Sequence, residues 1–257
     1  MYKKLLLMAL LFSLSAEAGV LNKKGKWYGY WGYNMSNYSD STIEFKGNSY
    51  DYTLFDVEAS DRQNTFSSTY ITDITIPQFN VRVGYFFDDR QSISFGLDHM
   101  KYVVDVPQTV KINGKDHQGV THSNAEIPLD NFLSFEHTDG LNYWSVAYNY
   151  FYPVWEDESQ KHALSLFVGA GVGFLLPRSN VTLIGYEDKE DEFKLAGYGQ
   201  DVQGGFHFDF YEDFFLRGEL KGGYIYMPDV STTDNSSDTA SHGFSFFEYS
   251  ISFGYTF

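Results

Sequence analysis

The chain has 257 residues, 18 basic against 34 acidic side chains for a formal charge of −16, and 19% aromatic residues. It carries no basic stripe, and its acidity argues against a nucleic-acid partner. Zero cysteines remove disulfides, thiolate metal sites, cysteine nucleophiles and a lipid-modified N-terminal Cys, while 24 Phe and 21 Tyr are not the composition of a disordered chain.

The chain opens on an export address. Lys3 and Lys4 precede an apolar run over residues 5–14, and Ala16-Glu17-Ala18 presents the small-x-small spacing that signal peptidase reads. A membrane anchor would need roughly 20 apolar residues, about twice this run. Residues 1–18 are therefore expected to be a cleaved signal peptide, and residues 19–257 a single domain. No later window is apolar enough for a membrane helix, so any crossing has to be made by strands closed into a barrel.

From there the hydrophobic period is two. Residues 27–36 are aromatic on both faces, which leaves their register open. Residues 79–87, 93–97 and 144–152 alternate cleanly, as do residues 163–176, where Leu166, Val168, Val172 and Phe174 share a face opposite Ser165, Gly169, Gly171 and Gly173. Residues 195–210, 214–226 and 247–257 complete eight strands. The links at 88–91, 156–161 and 211–213 are short, whereas those at 37–73, 105–140, 177–194 and 228–243 are long. Short turns at one end and long loops at the other predict an all-β, eight-stranded antiparallel up-and-down transmembrane barrel with both termini in the periplasm. A soluble sandwich would more often turn polar residues outward; here the continuous apolar face alternates with glycine, serine and charge.

Two long loops carry hairpin signals: Lys46-Gly47-Asn48 between residues 42–45 and 50–54, and Asn113-Gly114 as a type I′ turn. Both are read as extensions of the barrel wall, with a ten-stranded barrel as the alternative.

This leader, the eight alternating segments and the aromatic last strand ending in Tyr255 and Phe257 resemble the small outer-membrane barrel families: the OmpA transmembrane domain, OmpX, OmpW and the lipid A deacylase PagL. The resemblance is one of architecture across the mature chain. It implies residence in a Gram-negative outer membrane, contact with outer-membrane lipid and lipopolysaccharide, and Tyr255 and Phe257 as part of a signal read by the barrel assembly machinery. The nearest glycine is Gly254, which departs from that signal's full pattern.

An eight-stranded barrel is just wide enough for side chains to fill it. Its inward positions would hold Arg82, Asp98, Asp201, Gln203, His207, Asp209, Arg217, Glu219 and Lys221. A salt-bridged plug is the expectation, because buried charges need partners; the alternative is an ion path. For catalysis, the rim offers Asp98-His99-Met100-Lys101, Thr121-His122-Ser123-Asn124, Glu136-His137-Thr138-Asp139 and Ser241-His242, with His99, His137, Glu136 and Asp139 as the candidates. A histidine, a serine and an acid would suit lipid A hydrolysis, but the His-x-Ser spacing expected of the deacylases does not occur at His122-Ser123. Glu187-Asp188-Lys189-Glu190-Asp191-Glu192 has hard oxygen ligands without the spacing of a calcium loop. Neither a metal nor another cofactor is expected.

The leading expectation is a non-enzymatic barrel presenting long acidic loops for envelope integrity, adhesion or surface recognition, with Tyr50, Tyr52 and Phe55 either contact aromatics for an extracellular partner or packing residues of the loop's own hairpin. A lipid A-modifying enzyme is the second reading. Passage of small hydrophobic molecules is the third, disfavoured by the polar interior.

Overall fold

The computed structural model describes residues 22–61, 78–159, 161–185, 193–211 and 213–257. The expected leader and the acidic run 187–192 lie outside them. Fourteen strands follow one another: β1 (Trp27–Tyr38), β2 (Ser41–Lys46), β3 (Asp51–Val57), β4 (Ala59–Ser60), β5 (Phe79–Asp88), β6 (Gln91–Val104), β7 (Thr109–Lys115), β8 (Thr121–Pro128), β9 (Leu133–Glu156), β10 (Ala163–Leu175), β11 (Asn180–Leu183), β12 (Gly197–Phe210), β13 (Phe214–Ser231) and β14 (Thr239–Thr256).

Eight of these close a ring in the order β1-β5-β6-β9-β10-β12-β13-β14, and β14 pairs back onto β1. All the ring's pairings are antiparallel, and they include the eight segments whose alternation predicts strands. The seam is tied by reciprocal backbone bonds of 2.8 Å between Trp27 and Phe257, at the end where the short turns lie. The turns have local causes. Between β9 and β10, the Asp157 carboxylate accepts the backbone N–H groups of Lys161 and His162. Between β12 and β13, Tyr211 takes the left-handed conformation that a tight reversal demands.

The faces are inverted relative to a soluble domain. Val172 and Val202 are 64% and 66% exposed on the outside, whereas Arg217 and Lys221 are each 1% exposed inside. The register of β1 is settled by the same rule: Trp27, Trp31 and Tyr33 face out, while Tyr28, Tyr30, Asn34 and Ser36 face in. Gly84 makes the inward Tyr28 possible, because a Cβ there would collide with the Tyr28 ring. The Tyr28 hydroxyl shares a hydrogen bond of 3.0 Å with the Ser92 hydroxyl.

At the long-loop end β9, β13 and β14 run on past the apolar band, and the wall branches. From the upper part of β14 the sheet continues through β2, β3, β7 and β8. These strands extend the wall and do not enter the ring, so the ring has eight strands and not ten. Inside this extension Ile43, Phe45, Tyr52, Leu54, Ile112, Phe135 and Leu183 share one apolar core.

The turn between β2 and β3 falls at Gly47, whose N–H bonds the Tyr50 carbonyl. The expected Asn113-Gly114 turn is corrected. Gly114 lies within β7 at a register shift, with φ of 106°, in a space where a Cβ would meet the Asp51 carbonyl. Glycine is used here for close strand approach at a bulge. The reversal comes at 116–120 instead, where the Asp116 carboxylate accepts the N–H groups of Gln118 and Val120 at 2.9 Å each. An Asx-type turn thus supplies the reversal.

Candidate functional site in the barrel interior

The interior is stacked in three layers. At the short-turn end Tyr28, Tyr30, Phe86, Phe151, Phe167 and Phe215 form an aromatic floor. Lys23, just before β1, is folded into this floor. Its ammonium lies 2.7 Å from Asp209, which also hydrogen-bonds His207 at 3.1 Å, and it sits over the Phe86 and Phe151 rings.

Above the floor lies a layer of charge. Lys221 from β13 reaches Asp98 on β6 at 2.6 Å and Glu248 on β14 at 3.4 Å. Arg82 from β5 meets the same Asp98 oxygen at 3.3 Å and donates to the Ser145 hydroxyl at 2.9 Å. Arg217 holds Glu219 by two bonds of 2.7 and 3.0 Å, and its guanidinium stacks 3.5 Å over Phe167, a cation–π contact that joins this layer to the floor. Gln203 donates to Asn149, and Tyr143 donates to Asp201. All nine residues singled out for the lumen are buried. Glu248, Asn34, Asn149 and Lys23 belong to the same network and were not singled out. Glu248 stands between the outward Phe247 and Tyr249, so its inward parity was readable; Lys23 precedes every strand and carried no such signal.

The third layer is apolar and closes the long-loop end. His137 from β9 and His242 from β14 meet at its centre with their Nε2 atoms 3.3 Å apart, enclosed by Tyr102, Phe135 and Phe244. His137 Nδ1 pairs with the Ser179 hydroxyl at 2.8 Å. Burial alone pushes His137 down to about 3, and burial with His137 beside it holds His242 well below the usual histidine range. Both rings are neutral at physiological pH.

The four rim candidates are not brought together. His137 is fully buried with a serine and a second histidine. Glu136 turns to Thr138 and Asn180. His99 stacks on Phe79 and pairs with Asn142 at 2.8 Å. The Asp139 side chain lies outside the described residues. The candidate contact aromatics divide between their two readings: Tyr50 and Tyr52, 3% and 1% exposed, are packing residues of the extension and not contact residues, and only Phe55 faces outward. Tyr52 is anchored there by stacking on Phe45 and by a 3.1 Å bond to His117. Tyr255 and Phe257 stand exposed on the outer wall.

Among the described residues, no group of three or more His, Asp or Glu side chains is arranged to hold a metal ion. No protein-family model matches the chain, and no curated protein sequence matches it. Among solved structures it is similar to the outer membrane protein OprG of Pseudomonas aeruginosa, at 12% identity over 92% of this chain and 97% of that one, with a TM-score of 0.45. It is also similar to the outer membrane protein AlkL, at 15% identity, 95% and 94% coverage and a TM-score of 0.44. A third is Neisserial surface protein A, at 12% identity, 90% and 97% coverage and a TM-score of 0.39. The barrel rests on the closed ladder of eight strands itself.

Proposed function

We propose that this chain is a non-enzymatic integral barrel of the bacterial outer membrane, exported by a leader cleaved after Ala18, with its short turns and both termini in the periplasm. Its closed wall carries a folded extracellular sheet for adhesion or surface recognition. The observation that carries the reading is the branch β2-β3-β7-β8, which stands beyond the apolar band and packs its inner face onto the apolar core at the long-loop end of the ring. A barrel that only sealed its own lumen has no need of such an appendage, and long ordered insertions at loop ends are where recognition resides.

The outward apolar face supports a lipid environment, since a closed ring of strands satisfies its backbone without water. The charged middle layer disfavours passage of apolar molecules. The lipid A hydrolase reading has only the His137–Ser179 bond in its favour, and both residues are buried away from lipid; we read this pair as packing.

Replacing residues 41–57 and 109–128 with short Gly-Ser links tests the proposal. The variant is expected to keep heat-modifiable migration in detergent gels while expressing cells lose adhesion or partner binding. Unchanged adhesion and binding in that variant would reject the recognition role.

A further inference from the structure

On the outer face of the extension, a groove of about 260 Å³ is lined by Phe55, Asp56, Thr109, Val110, Lys111 and Glu126. The strand register explains the grouping. Phe55 pairs with Lys111, and Lys111 pairs with Glu126, so an aromatic ring, an ammonium and a carboxylate stand in one row across β3, β7 and β8. Adjacent strands lie about 4.8 Å apart, so the row spans roughly the width of two sugar rings. Lys111 and Glu126 make no ion pair with each other among the described residues, although they face across the ladder.

The second observation is a built irregularity. The ladder between β2 and β3 shifts register between Ser41 and Ile43, leaving Phe55 and Asp56 together opposite one residue. Asp56 takes φ of 55° to do so, a left-handed conformation that is strained for a non-glycine residue. Strict alternation would have turned residue 56 into the core. The bulge instead sets an aromatic and a carboxylate side by side on the outside, the kind of re-aiming for which bulges are used.

We infer that this groove binds a neutral saccharide, with the C–H face of a sugar ring on Phe55 and its hydroxyls shared among Asp56, Thr109, Lys111 and Glu126. The mixed donor and acceptor set suits hydroxyl groups, which both give and take hydrogen bonds. Two carboxylates against one ammonium, on a chain of charge −16, repel sulfated or phosphorylated glycans. This inference rests on the recognition reading and gives it a ligand class.

The test uses the mature full-length protein in nanodiscs, free of sugar-headed detergent, against an array of neutral hexose and N-acetylhexosamine oligosaccharides with heparin as the polyanion. Neutral oligosaccharides are expected to bind and heparin to be ignored. Phe55→Ala and Asp56→Gly should each weaken binding by about 10-fold or more, and Glu126→Gln by several-fold. Asp56→Gly is the decisive variant, because glycine accepts the backbone conformation and keeps the fold while removing the carboxylate. Glu44→Gln, elsewhere on the extension, should bind as the parent does. The inference is overturned if no neutral oligosaccharide binds, if heparin alone binds, or if Phe55→Ala and Asp56→Gly both bind as the parent while migrating as folded barrels. Should adhesion still depend on the extension in those cases, the ligand class is wrong and the recognition role stands.

Discussion

Lys221 spans the lumen to place its ammonium 2.6 Å from Asp98, a residue 123 positions earlier in the chain. The same ammonium is 3.4 Å from Glu219 and from Glu248. One cation therefore serves three carboxylates from three strands. Lys221→Met should leave these carboxylates with too few partners and lower the unfolding free energy by about 3–5 kcal/mol. Urea unfolding of the lipid-reconstituted barrel would measure it, and a loss below about 1 kcal/mol would mean that water or rearranged partners compensate.

The three stacked layers also bear on conduction. Arg82, Arg217 and Lys221 are among the largest fully buried side chains, with the aromatic floor below them and the His137–His242 contact above. Planar bilayers containing the purified protein should show no steady, large openings. Single replacements such as Arg217→Ala should also stay closed, because the other two layers remain. Sustained conductance from the parent protein would contradict this packing.

How much of this was legible in the sequence depends on what fixed each feature. The wall was legible, because alternation in segments such as residues 163–176 records which side turns outward. The charged layer followed from the same parity, down to Arg217, Glu219 and Lys221 on one strand. The extension was legible only as hairpins. Which face of β3 would be covered depends on β14 and β9, remote in sequence, so the sequence left Tyr52 open between contact and packing, and the fold makes it core. Asn113-Gly114 misled for a related reason: its glycine answers the approach of Asp51 from another strand, not a local reversal. The histidine pair joins residues 105 positions apart, and no local pattern announces that.

Stability should vary with pH through His137 and His242. Their folded pKa values are depressed, His137 to about 3 against an ordinary 6.5. Between those values the unfolded chain binds more protons than the folded one, so stability is full above about pH 6.5 and is lost as pH falls toward 3. Asp61 works in the opposite sense. Burial raises it to about 6 despite hydrogen bonds from Ser36 and Gln78, so its contribution declines as pH rises from about 4 to 6. Far-ultraviolet circular dichroism during acid titration should show strand content falling as pH drops through the histidine window, and His242→Phe should flatten that response. An unaltered profile in His242→Phe would remove the histidines as its source.

Neighbouring aromatics on β3 should respond in opposite ways. Tyr52 is 1% exposed, stacked on Phe45 with centroids 4.9 Å apart and bonded to His117. Tyr52→Ala opens a cavity and removes the bond to His117, which should cost the extension about 3–5 kcal/mol. Phe55, three residues on and facing the groove, has no such core around it. Phe55→Ala should change stability by less than about 1 kcal/mol. Limited proteolysis followed by mass spectrometry separates the two, since cleavage within residues 41–57 should accelerate strongly in Tyr52→Ala and little in Phe55→Ala. Equal protection of both variants would mean that the apolar interior does not hold this sheet together.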